Sequence, residues 1–396
     1  MNLLLTKKQS LTMAAAVAIA MLSACNHNYV EVEVTNGYDV ALGTRMIELD
    51  AEFALSKIES PSFYIADAEG NEIPSQITSG GLLIFPAEVA PGQTAVYKIM
   101  PADEGNFYEN KVFGAIYPER RDDIAYENDL VGFRIYGPGT QNAGERAYGY
   151  DLFFKYPGEI VLPELYRLET DPATWQRVDS LRRIDPKLAD EYVDSFSYHI
   201  DHGKGMDCYA VGATLGAGVA AILNDSTIAY PWCYSMPYIL DNGPLRFTLQ
   251  LVFDPVTIGT DTAVVENRII TLDAGSHLNH TSIWYDGLEN PADIVAGFPL
   301  RDDSPWLSDN ENGIIAYADP TQGPNNGKAL LGIVAPQADS IFIHDGHLLT
   351  LTKGLPGGEM SYLWGFAWDK TDFKDLTSWA EYLENANKNY MVHIKK

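Results

Sequence analysis

Val30-Glu31-Val32-Glu33-Val34 alternates an apolar with a polar residue at every step, and short runs of the same period recur along most of the chain. Successive side chains of an extended strand point to opposite faces, so such a run makes one dry face and one wet one. Over residues 30–100 these runs are punctuated by Asn36-Gly37, Glu69-Gly70-Asn71 and Pro91-Gly92, the pattern of an antiparallel sandwich. Ala102-Asp103-Glu104-Gly105-Asn106 reads as a polar link, which sets a small N-terminal β-sandwich at 25–105 and a larger β unit at 106–396. With 46% hydrophobic residues, 33 Gly and 22 Pro, the chain has core material and turns, which excludes disorder, collagen and coiled coil.

Strand-like pattern returns after residue 107. In 130–136, Val131, Phe133 and Ile135 fall on one face and Arg134 and Tyr136 on the other. Asp171-Pro172 and Asp185-Pro186 each place an N-cap acid before a proline, predicting short helices over 173–184 and 187–193 and hence a helical insertion at about 171–194. Strands resume from Phe196 to about Trp368, with turns at Gly203-Lys204-Gly205, Asn224-Asp225-Ser226, Asp241-Asn242-Gly243 and His344-Asp345-Gly346. Leu376, Trp379, Ala380 and Leu383 predict a C-terminal helix over 375–385. Gly216-Ala217-Gly218-Val219-Ala220-Ala221 fits a dinucleotide fingerprint but runs into a turn and a β-like stretch, so close sheet packing is the better reading.

Residues 1–24 read as an export signal, with Lys7 and Lys8 before a short apolar run that is well under the ~20 residues of a membrane span. Leu22-Ser23-Ala24-Cys25 resembles a bacterial lipobox, which predicts lipid on Cys25 and a membrane-anchored lipoprotein facing the periplasm or the exterior. Cys208 and Cys233 remain, as one disulfide or as two buried thiols. A net charge of −27 repels phosphate polymers, so nucleic acid is excluded as a partner.

Two polar constellations carry the candidate chemistry. In the first, 117–129 with Arg134, arginine forks suit carboxylates, and Arg121, Asn128 and Tyr136 are assigned to substrate binding. The second is Ser197-Tyr198-His199-Ile200-Asp201-His202 through Asp207-Cys208-Tyr209. A strand with Phe196, Tyr198 and Ile200 inward would put Ser197, His199 and Asp201 on its other face, a general acid/base set. His199, His202 and Asp207 would alternatively supply three ligands to a divalent ion; no other cofactor is indicated. In 362–368 alternation groups the aromatics, and Trp364 and Trp368 are read as sugar-stacking residues, with a sandwich core as the rival reading. His277, with His280 and Trp284, would line the same cleft.

The runs Glu119-Arg120-Arg121-Asp122-Asp123, Glu127-Asn128-Asp129, Phe133-Arg134-Ile135-Tyr136-Gly137-Pro138 and Ser197-Tyr198-His199 through Asp207-Cys208-Tyr209 resemble a family of uncharacterised exported proteins and lipoproteins of polysaccharide-degrading Gram-negative bacteria. The resemblance implies a galactose-mutarotase-like β-supersandwich and a part in breaking down glycans, above all uronate-containing ones. The leading expectation is a lyase eliminating across C4–C5 of a uronic acid. In it Arg134 and Asn128 hold the carboxylate, His199 or His202 is the base, Tyr209 is the acid, and Trp364 and Trp368 stack sugars. The alternatives are a glycoside hydrolase, mutarotase or epimerase using Glu127 and Asp207, and a non-catalytic glycan-binding lipoprotein.

Overall fold

The computed structural model describes residues 28–395. The signal segment and the expected lipid site, Cys25, lie outside them. Among the described residues no helix is long and apolar enough to cross a membrane.

The chain is mainly β, in antiparallel sheets, as the period-2 pattern requires. A five-stranded sheet, ordered Met391–Lys395, Val30–Thr35, Thr94–Ala102, Ser62–Ala66 and Glu72–Ile73, faces a three-stranded sheet of Arg45–Asp50, Leu82–Ala87 and Gln76–Ile77. Val30, Val32 and Val34 point into the core between them, with Leu83, Phe85 and Ile99. The last strand belongs to this small unit, not to the larger one: Val34 pairs with Val392 and Glu31 with Lys395. It lies on an edge and is mostly exposed, so its sequence carries no dry face to read.

Three sheets build the supersandwich around one large core. The first runs Gly205–Met206, Asp151–Lys155, Gly132–Ile135, Asp123–Asn128, Val112–Tyr117. The second centres on Ala292–Pro299 and His347–Leu355. The third, nine-stranded, includes Arg246–Phe253, Asp261–Asp273, Leu278–Asp286, Met360–Trp368 and Ala329–Val334. Phe133, Trp364, Phe366, Leu249 and Val295 meet in the common core.

The insertion forms as its caps dictate: Asp171 accepts from Ala173 N and Thr174 N to start the helix Pro172–Ile184, and Asp185 accepts from Lys187 N to start Pro186–Asp194. A helix Leu162–Thr170 precedes them in what reads as strand. Its N-terminal partner is the distant Glu127, which leaves no local cap signal. The C-terminal helix, Leu376–Ala386, is capped by Asp375 and packs Trp379 and Leu383 on the outer face of the nine-stranded sheet. At the discarded glycine motif, a Cβ on Gly218 would come within 3.1 Å of the Trp364 Cβ, so close packing is what those glycines serve.

Phe196–Ile200 is a turn, not the expected strand. Ser197, His199 and Asp201 therefore share no strand face. Cys208 and Cys233 are free thiols, pushed up to about 12 and about 11 by burial.

Candidate active site

Strand register places the polar side chains. Arg134 sits opposite Asp151 on one side and Ala125 on the other, so Asp123, Arg134 and Asp151 project from the same face of the first sheet. The opposite face carries Tyr126, Phe133 and Leu152 into the common core. The polar face is covered by the helix Leu162–Thr170 and by residues 196–209, which bury Arg134 beside Phe153, Tyr166 and Tyr198.

Arg134 forks onto Asp151, and its Nη2 donates to Asp207 Oδ2 at 2.8 Å and to Tyr136 Oη at 2.7 Å. Tyr136 Oη in turn donates to Asp151. The two carboxylates hold the guanidinium proton far above its ordinary affinity, although burial works against the charge. Asp207 has to share that cation with Asp151, so for it burial prevails and its carboxyl is pushed up to about 6. Asp123 is fully buried, with neither oxygen hydrogen-bonded, and burial pushes it likewise up to about 6 against Arg134 and Arg120. Arg120 donates from Nε to Tyr198 Oη at 3.2 Å, and its Nη1 lies 3.8 Å from Asp123.

His199 opens this cluster to solvent. Its side chain is 57% exposed, against 2% for Asp207 behind it. Nδ1 lies 3.1 Å from the Asp207 carbonyl oxygen and 3.6 Å from Asp207 Oδ2. The carbonyl oxygen is an acceptor, so Nδ1 carries the proton in the neutral ring and Nε2 keeps the lone pair. A half-exposed imidazole whose ring is fixed by the Asp207 backbone carbonyl, beside the Asp207 carboxyl that Arg134 holds, is an arrangement that suits general acid–base chemistry.

The other expected site residues are placed differently. Asn128 is a clamp: its Nδ2 donates to the carbonyls of Asp273 and Ser276, so it is not free to hold a substrate carboxylate, and neither is Arg134. Glu127 takes Lys155 Nζ at 2.6 Å and the N–H groups of Val161 and Leu162 at the helix start, which uses up its oxygens. Tyr209 is buried against the Arg301 guanidinium, and burial raises its phenol far out of the range of a neutral-pH acid. Arg121 lies on the surface, paired with Glu145. His202 is exposed and its side chain makes no hydrogen bond with another described residue; it does not join His199 and Asp207. Among the described residues no three His, Cys, Asp or Glu side chains are grouped to hold a metal ion.

Trp364 and Trp368 are core residues. Trp364 stacks on Tyr150 with ring centres 4.0 Å apart and donates from Nε1 to Thr281 Oγ1; Trp368 donates from Nε1 to the Asn326 carbonyl. Both faces of their strand are covered, so alternation there sorts two cores and not core from solvent. His277 is buried too, with Nδ1 near the Phe366 carbonyl and Nε2 near Asp372. Asp151 and Glu169 were missed. Asp151 looks like any strand acid until register sets it opposite Arg134. Glu169 reaches the cluster through the helix Leu162–Thr170, which places it in the fields of Arg120 and His199.

Residues 34–395 match a family described as "Domain of unknown function (DUF4861)". The chain belongs to the DUF4861 family. It is similar to "Uncharacterized protein P7" of Formosa agariphila, with 26% identity over 315 residues, covering 76% of this chain and 74% of that one. Among solved structures it resembles one described as a protein in the glycosyl hydrolase family 38 from Enterococcus faecalis. That match has 9% identity and a TM-score of 0.51 and covers 93% of this chain. The chain spans about half, 48%, of that structure's length, and the likeness is one of fold.

Proposed function

We propose that this protein is a carbohydrate-active enzyme whose proton-transfer group is His199. The observation that carries the reading is the setting of that ring: Nδ1 hydrogen-bonded to the Asp207 backbone carbonyl, the Asp207 carboxyl 3.6 Å away and held by Arg134, and a side chain 57% exposed. The substrate class is supported by the fold shared with a glycosyl hydrolase family 38 protein, an argument from fold alone.

Elimination from a uronate residue is the reaction these residues serve most directly. Nε2 of His199 takes the C5 proton. The electron pair becomes the C4–C5 double bond, and the bond from C4 to the glycosidic oxygen breaks. The imidazolium that forms faces Asp207, which the field of Arg134 keeps in place. Arg134 and Asn128 are committed elsewhere, so the substrate carboxylate falls to Arg120, whose side chain is 25% exposed beside Tyr198. The leaving oxygen takes its proton from solvent.

Hydrolysis is the second reading, favoured by the carboxyls of Asp207 and Asp123, both pushed up to about 6, where a carboxylic acid serves as a proton donor. Their burial counts against it. Incubating the protein with uronate-containing and neutral glycans, while following ultraviolet absorbance and reducing ends, separates the two. Elimination raises both and hydrolysis raises reducing ends alone. No change in either signal on any glycan removes the enzyme reading.

A further inference from the structure

Tyr156 and Lys370 rest on the same ring. Tyr156 follows the strand Asp151–Lys155, and its ring lies 5.2 Å from that of Trp368, tilted by 45°. Lys370 Nζ lies 4.9 Å from the centre of that Trp368 ring. Trp368 itself is buried and tied to the Asn326 carbonyl, so it is a fixed floor under both. Tyr156 is 38% exposed, which leaves part of its ring open to solvent.

Both side chains belong to the rim of the His199 cluster. Tyr156 Oη donates to Asp201 Oδ2 at 2.8 Å, and Oδ1 of the same carboxylate accepts from Gly203 N at 2.8 Å and Gly205 N at 3.0 Å. Asp201 stands two residues after His199, so these bonds tie the phenol to the loop that carries the imidazole. Burial raises the Asp201 carboxyl, but the Tyr156 hydroxyl, the two N–H groups and the charge of Lys370 outweigh it and hold the group below the ordinary carboxylate range. At Cys208, the residue after Asp207, burial raises the thiol and the Lys370 charge again works against it. The ammonium therefore stands near both ends of the segment from Asp201 to Cys208.

Free valence defines the ligand. Asp201 has three donors on its two oxygens, and the Asp369 carboxylate beside Lys370 accepts from Lys328 N. Lys370, by contrast, makes no hydrogen bond or ion pair with another described residue, and its ammonium keeps three donors for an incoming group. An exposed aromatic ring beside such a cation suits a sugar residue that carries an acid: the ring takes the apolar C–H face and the ammonium takes the carboxylate. We propose that Tyr156 and Lys370 form a second subsite beside His199, which binds a further uronate residue of the same glycan chain, with Asp201 positioning Tyr156; the choice of a uronate rests on the elimination reading above. A glycan with acids on several residues then binds better than one with a single acid among neutral sugars.

The test is calorimetric binding of trigalacturonate, trimannuronate and cellotriose to the full mature chain and to variants whose melting temperature matches the parent's. At least one acidic trisaccharide is expected to bind, and more tightly than cellotriose. Lys370→Gln should weaken that binding at least ~10-fold, the effect of losing a charge-assisted contact. Lys370→Arg, which keeps the charge, should retain most of it. Tyr156→Ala should also weaken binding at least ~10-fold, and Tyr156→Phe, which keeps the ring, should cost less. Parent-like binding by Lys370→Gln or Tyr156→Ala overturns the proposal, as does cellotriose bound as tightly as the acidic trisaccharides, or no binding of any of the three. Binding that needs Lys370 and Tyr156, in a protein that turns over no glycan, leaves the subsite standing and removes the enzyme reading. Turnover that depends on His199, with KM for the acidic glycan unmoved in Lys370→Gln, does the reverse.

Discussion

Two buried cations project from the same face of the first sheet, Lys155 and Arg134, and they are treated differently. Lys155 meets Glu127 and the Asn128 carbonyl, and Glu127 in turn takes two backbone N–H groups at a helix start. Every charge there has its partners and none reaches solvent. Around Arg134 the acids are in excess: Asp151, Asp207 and Asp123 share it with Arg120, and neither oxygen of Asp123 is hydrogen-bonded. A sheet that needed only a closed face would repeat the first solution. Leaving acids under-neutralised and buried costs stability, and the cluster that bears this cost is the one that ends in an exposed histidine.

Glu127→Ala should have the largest effect, because it strands the Lys155 charge and uncaps a helix: a loss of about 3–5 kcal/mol is expected in denaturant unfolding. Joint replacement by Leu at 127 and Met at 155 should restore most of it. A single variant as stable as the parent would break the contrast from the structural side. His199→Ala should lower turnover by about 10²–10⁴-fold while stability stays within ~0.5 kcal/mol, since the ring is exposed. Equal losses in both would make His199 a packing residue.

Asp123 gives the contrast a pH dependence. Its folded carboxyl, pushed up to about 6, binds its proton more tightly than the unfolded one at ~3.9. The resulting stability is complete below pH ~4 and is lost as pH rises through about 6, amounting to at most about 3 kcal/mol. Asp123→Asn should flatten that slope in thermal melts between pH 4 and 7. An unchanged slope would assign it to other groups. Arg121→Ala should do least, under about 1 kcal/mol, because its pair with Glu145 is exposed and salt-screened.

Much of the fold was legible in the chain. Period-2 runs located the small sandwich, and the two Asp-Pro caps located their helices. Long-range partners hid the rest. The helix Leu162–Thr170 takes its cap from Glu127, and the strand Met391–Lys395 finds its sheet at the far end of the sequence. At the site, His199 and Asp207 were singled out from their types and spacing, although a turn and not a strand joins them to the cluster. Arg134 was picked out for its place on a core-like strand, but as a substrate clamp, because Asp151 opposite it becomes visible only through register. The tryptophans misled because a strand covered on both faces alternates like one covered on a single face.

The most direct test of His199 as the proton-transfer group is turnover by the parent protein and by His199→Gln of a glycan that the parent degrades. Products are followed by ultraviolet absorbance and reducing ends. Glutamine keeps a donor for the Asp207 carbonyl but accepts no proton, so turnover is expected to fall at least 10²-fold with folding and melting temperature unchanged. A His199→Gln protein that works at the parent's rate would contradict the account.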